Sequence, residues 1–168
     1  MAKDIYHDLV KQALQNEGWQ ITHDPYFLSI GIGRRKVAAD FAAEKFIIAE
    51  KDTEKILVEI KSFITSSNIN ELHHSVGQYD FYALLLEEQE PNRIPFLAMP
   101  KDAYDDLIRE PIVQTFLDRH HVKLIIFDVE NPIIYSWQLL LKLPGRRLRL
   151  NRHKVHSLYS HPYLQHES

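Results

Sequence analysis

The sequence predicts an α/β fold in which helices cover a mixed β-sheet. Three observations lead there. Apolar runs of strand length alternate with helical periodicity in the order helix, strands, helix, strand, helix, strand, strand. Residues 69–89 carry a long amphipathic stripe directly after the strongest strand, as a strand-to-strand crossover does. "VKLIIFDV" reads as a strand buried on both faces, which requires cover on both sides of the sheet. The chain has 168 residues, 45% of them hydrophobic, enough for one domain with a sizeable core.

Residues 4–16 form the first helix, with Ile5, Leu9, Ala13 and Leu14 on one stripe and Gly18 as its stop. "WQITHD" is a short strand that ends in the turn signal Asp24-Pro25. "YFLSIGIG" is an apolar run broken by glycines. Residues 37–42 and 46–50 read as strands, "KDTEK" as a turn, and residues 56–62 as the next strand. Asn68 and Glu71 have capping-box spacing ahead of the long helix. Its apolar positions are Ile69, Leu72, Val76, Tyr79, Ala83 and Leu86, alternating steps of three and four, and Pro91 follows as a stop. "RIPFLAMP" is a strand. Residues 101–109 and 111–120 are helical with a break at Pro111. "VKLIIFDV" and "IIYSWQ" are the last strands, joined by an Asn131-Pro132 turn. "LLLKL" extends the last strand or starts a short helix.

This places the domain at residues 1–138 and a basic C-terminal extension at 139–168. The extension holds Lys142, Arg146, Arg147, Arg149, Arg152 and Lys154 against one acid, Glu167. It is weakly periodic, and partial disorder or loose docking is expected for it. The preceding 138 residues carry net −8, a poor footprint for tight DNA binding without help from the extension or a partner. With no cysteine there is no disulfide, thiolate nucleophile or thiolate zinc site. No secretory leader pattern and no membrane-length apolar run occurs, so a soluble cytoplasmic protein is expected. "GIGRRK" lacks the third glycine of a dinucleotide fingerprint, and P-loop, nucleophile-elbow and zincin motifs are missing. The His73-His74 and His120-His121 pairs lie on adjacent positions that diverge around a helix and do not readily chelate one metal.

Within "EKILVEIKSF", Glu59 and Lys61 share one strand face, with Ile56, Val58 and Ile60 on the other. One reading is a half-exposed strand with a tolerated surface ion pair. The other is a phosphodiester site. There Glu59 and the Ile60 carbonyl offer hard oxygen ligands to a divalent cation, and Lys61 holds the water or stabilises charge on the phosphate. A second carboxylate must come from a neighbouring strand, with Asp40 the first candidate and Glu50 the alternative. Gln78 and Tyr82 are i, i+4 neighbours on the following helix, where Gln78 could hydrogen-bond a phosphate, orient a site carboxylate or remain a surface amide.

The blocks "MAKDIYHDLVKQAL", "GWQITHDP", "AEKFIIAEK", "ILVEIKSF", "GQYDFYALLLEEQEP" and "FLAMP" resemble the XisH family, the fdxN-element excision controlling factors of cyanobacteria. The resemblance covers about residues 1–138. It implies a restriction-endonuclease-like fold of the PD-(D/E)XK superfamily, a mixed β-sheet flanked by helices. It also implies action with a site-specific recombinase and an XisI-like companion in excising a DNA element during heterocyst differentiation. By position it assigns Asp40 as the acid before the second core strand, Glu59 and Lys61 as the E-x-K pair and Gln78 as the helix glutamine. Asp8, beside His7, matches the acidic first helix. The implied cofactor is Mg²⁺ or Mn²⁺. Two departures stand out: "GIGRRKVAAD" replaces an apolar and acidic stretch before the Asp, and the family typically ends near Trp137. Arg34, Arg35 and Lys36, with Arg146, Arg147 and Arg149, are candidate phosphate contacts whose plainer reading is solvated charge. The alternatives are a stand-alone PD-(D/E)XK nuclease and a non-catalytic interaction module with a vestigial site. The residues leave open homo-oligomer formation.

Overall fold

The structure is a computed structural model that describes residues 5–31, 33–46, 53–64, 68–143 and 146–151. The first helix, α1, spans His7–Asn16. It is followed by β1 (Gln20–His23), β2 (Tyr26–Ser29), β3 (Lys36–Ala39), β4 (Phe41–Phe46) and β5 (Thr53–Ile60). The long helix α2 covers Asn68–Gln89 and leads to β6 (Arg93–Pro100). A short α3 (Lys101–Ala103) runs into a π-helical turn (Tyr104–Ile108), then α4 (Pro111–Arg119). Strands β7 (Leu124–Phe127), β8 (Ile134–Leu143) and β9 (Arg146–Asn151) end the described chain.

Seven strands make one sheet in the order β1-β4-β5-β6-β7-β8-β9, while β2 and β3 form a separate antiparallel hairpin. The β5–β6 and β6–β7 pairs are parallel and the rest antiparallel, so the sheet is mixed. The two parallel connections need crossovers, which α2 and the α3–α4 segment supply. On one face Val10, Ala13 and Leu14 of α1 pack on Ile56, Val58, Ile60, Phe96 and Trp137. On the other, Leu72, Val76 and Tyr79 of α2 join Leu97, Met99 and Ile126, and Leu57 packs with Tyr82, Leu85 and Leu86.

Strand β5 is therefore covered on both faces, and the half-exposed reading of Glu59 is corrected. Glu59 is only 6% exposed because α2 and the β2–β3 hairpin close over its face. The strand expected at residues 37–42 is two strands. β3 ends at Ala39, the chain changes sheets at Asp40, and β4 begins at Phe41. Short apolar residues on both sides of Asp40 made that break invisible to periodicity. Residues 47–52, including the expected strand end and Glu50, lie outside the described residues. The run expected to end at Ser62 leaves the strand after Ile60, although Lys61 N–H still donates to Ala98 O (2.9 Å). Phe63 then takes a left-handed backbone (φ 53°), which costs about 1–2 kcal/mol in a non-glycine residue. Burial of its side chain offsets this, and its N–H donates to Glu71 Oε1 (3.3 Å). "LLLKL" extends β8, and residues 146–151 of the basic segment pair with it as β9. Residues 152–168 lie outside the described residues.

Candidate functional site

The site forms where β5 ends. Phe41 pairs with Val58 in the antiparallel β4–β5 register, so the residue before Phe41 arrives beside Glu59 and Ile60. Asp40 Oδ2 accepts the Ile60 N–H at 2.7 Å, which fixes the carboxylate against the strand end. In extended backbone a residue's N–H and C=O project to the same side, so the Ile60 carbonyl is also turned toward Asp40. Lys61 follows, its Nζ 3.2 Å from Glu59 Oε1.

Helix α2 supplies the opposite wall. Tyr82 OH donates to Ala38 O (2.7 Å), the residue two before Asp40, and accepts from Gln78 Nε2 (3.0 Å). The phenol thus bolts α2 to β3 and sits beside Glu59. Burial pushes the Tyr82 hydroxyl far up, and the Glu59 charge adds to it. Burial also raises the Glu59 carboxyl, the negative Asp40 reinforces the effect, and Lys61 opposes it, leaving Glu59 at about 7.

Among the described residues, Glu59 Oε2 and Gln78 Oε1 are buried in this pocket without a hydrogen-bond donor. A buried acceptor without a donor is costly, and either a proton or a cation would satisfy the carboxylate. Asp40, Glu59 and the Ile60 carbonyl form an all-oxygen set of the kind hard divalent cations take. Among the described residues no group of three or more His, Asp or Glu side chains is arranged to hold a metal, so such a site would rest on two carboxylates and backbone.

The structure thus brings Asp40, Glu59, Ile60, Lys61 and Gln78 together. Asp8 lies on the solvent side of α1, with Oδ1 3.3 Å from His7 Nδ1. His7 is buried, binds Asp24 through Nε2 (2.9 Å) and packs edge-on against Phe41, adjacent to Asp40. Arg34, Arg35 and Lys36 are exposed at the tip of the β2–β3 hairpin. Lys36 lies four residues from Asp40, about 13 Å along the chain. Arg146, Arg147 and Arg149 belong to β9, four strand positions from β5, roughly 19 Å across the sheet. Tyr82 is the site residue that sequence reasoning undervalued. Its only signal is the four-residue spacing from Gln78, and its aromatic ring looks like core.

The comparisons with known proteins agree on one relationship. A family model described as XisH protein matches residues 1–135. The crystal structure of an XisH family protein from Nostoc punctiforme is 38% identical, covers 80% of this chain and 98% of its own, and superposes with a TM-score of 0.70. The structure of a fdxN element excision controlling factor protein from Anabaena variabilis is 35% identical with the same coverage and a TM-score of 0.69. No curated protein matches the chain.

Proposed function

Because this chain belongs to the XisH family, we propose that it is an excision controlling factor with a divalent-metal-dependent phosphodiester site of PD-(D/E)XK type at the end of β5. In this reading it assists site-specific excision of a DNA element, together with a recombinase and an XisI-like companion. The observation that carries the chemistry is Asp40 fixed against the strand end beside buried Glu59, whose Oε1 faces Lys61 and whose Oε2 has no donor among the described residues.

Asp40, Glu59 and the Ile60 carbonyl would hold Mg²⁺ or Mn²⁺, which when bound supplies Lewis-acid polarisation of a phosphoryl oxygen and a water of lowered pKa. Lys61 places a positive charge where negative charge builds on the phosphate. Tyr82 and Gln78 hold the α2 wall in place beside Glu59, and Asp40 keeps the strand end from shifting. The exposed Arg34, Arg35 and Lys36 would meet the DNA backbone outside the acidic body.

The test is nicking of supercoiled plasmid and of branched DNA in Mg²⁺ and in Mn²⁺. Cleavage by the wild type that drops at least about 100-fold in Glu59→Gln supports the site. No cleavage of any substrate with either metal removes the nuclease reading. A second reading is favoured by the sealing of Glu59 under α2 and its pairing with Lys61, which suits a vestigial site on an interaction module. Under it, Glu59→Gln leaves capture of an XisI-like companion intact and no DNA is cut.

A further inference from the structure

A second cleft lies at the other end of the sheet. It has a volume of about 580 Å³ and lies between the second half of α2, the start of β6 and the turn that precedes β7. Its β6 residues, Arg93 to Pro95, pair with Lys55 to Leu57, so it sits at the beginning of the parallel strands while Asp40 and Glu59 sit at their end. The volume falls in the range that takes a small molecule. Much of the lining is apolar, with Ala83, Leu84, Pro91, Ile94 and Pro95.

The cleft contains one uncommitted cation, Lys123. Its ammonium has no hydrogen-bond or ion-pair partner among the described residues, and burial alone lowers its pKa. The neighbouring charges are engaged. Arg93 donates to Glu90 (2.7 and 3.0 Å) and to Ile56 O (3.0 Å). His120 Nδ1 lies 2.6 Å from Asp80 Oδ2. Glu87 stays at the exposed rim. The base is rigid, because Tyr79 OH is shared between Pro95 O (3.1 Å) and His121 O (3.2 Å) and accepts the Lys123 N–H (3.1 Å).

A half-buried ammonium without a counterion, held on a rigid floor under apolar walls, asks for an anion with an apolar body. We propose that this cleft binds a small organic carboxylate, with Lys123 as the countercharge and the Ala83–Leu84 and Ile94–Pro95 walls around its apolar part. The site is separate from the Asp40–Glu59 cluster, and the proposal holds whether or not that cluster cuts DNA.

The test is an amide NMR titration of the full chain with 4-phenylbutyrate and with its neutral analogue 4-phenylbutyramide. The carboxylate should shift residues 93–95 and 120–123 in a saturable way, at least about tenfold more tightly than the amide, because a charge-assisted bond is lost with the charge. Lys123→Met should bring the two ligands to equal affinity, and Lys123→Arg should retain the preference for the carboxylate, which guards against a Met variant that folds poorly. Equal binding of both ligands to the wild type, undiminished carboxylate preference in Lys123→Met, or no saturable shift up to millimolar ligand overturns the proposal.

Discussion

At the scale of single residues, Glu59 is the most consequential side chain. An unfolded glutamate titrates near 4.5, while Glu59 in the fold titrates at about 7. Between those values the folded protein holds a proton that the unfolded chain releases. Stability therefore falls as pH rises from about 4.5 to about 7 and levels off above, a loss on the order of 3 kcal/mol. Glu59→Gln keeps the shape without the titration. In urea melts the variant should gain on the wild type as pH goes from 5 to 8, and a gap that stays constant with pH would contradict this account. The same residue shows what was legible. Its partnership with Lys61 follows from strand alternation alone. The roles of Tyr82 and of the donor-less Gln78 Oε1 do not, since they depend on which face of α2 meets β3.

At the scale of elements, the β2–β3 hairpin must be anchored to keep its cover on Glu59. A tether at its Tyr26 end does this. Tyr26 OH donates to Glu90 Oε2 (2.6 Å), Arg93 binds the same carboxylate, and the guanidinium lies 5.0 Å from the centre of the Tyr26 ring. Arg93 hydrogen bonds hold Glu90 down at about 2, with Tyr26 and Lys55 assisting. A depressed carboxylate stabilises the fold above its unfolded value and loses that contribution as pH falls through the folded one. Glu90→Gln should lower the melting temperature at pH 7, and its deficit should shrink as pH drops from about 4.5 toward 2. A deficit independent of pH would mean that the charge is not what matters. Helices and strands were largely readable here, because their apolar periods are long. The change of sheet at Asp40 was not, since a one-residue break leaves the apolar pattern of residues 37–42 unchanged.

At the scale of the whole molecule, the sheet runs past the residues that the XisH family model matches, which end at 135. The two XisH-related structures are covered almost fully by 80% of this chain, while β8 and β9 carry the sheet on to Asn151. Ile134 and Trp137 belong to the core, with Trp137 stacked on Trp19 and its Nε1 donating to Glu17 Oε2 (3.0 Å). A chain ending at Leu139 keeps those contacts. It should melt cooperatively with unchanged tryptophan bands in near-ultraviolet circular dichroism, since Trp19 and Trp137 are both kept, and loss of cooperativity would show that the β8–β9 hairpin is part of the core unit. Among the described residues no helix is long and apolar enough to cross a membrane, as the lack of long apolar runs implied.

By itself the sequence determined the α/β class, the order of most elements and the E-x-K strand, because these rest on periodicities of two and 3.6 residues that any chain of this pattern must satisfy. It also carried the family, through blocks of residues spread over most of its length. Only the tertiary structure decided that Glu59 is buried, that Asp40 reaches it from the junction of two sheets, and that Lys123 stands in a cleft without a counterion among the described residues. Those facts depend on register and on which layers cover which face. Both are set by contacts between residues tens of positions apart, and no local pattern encodes them.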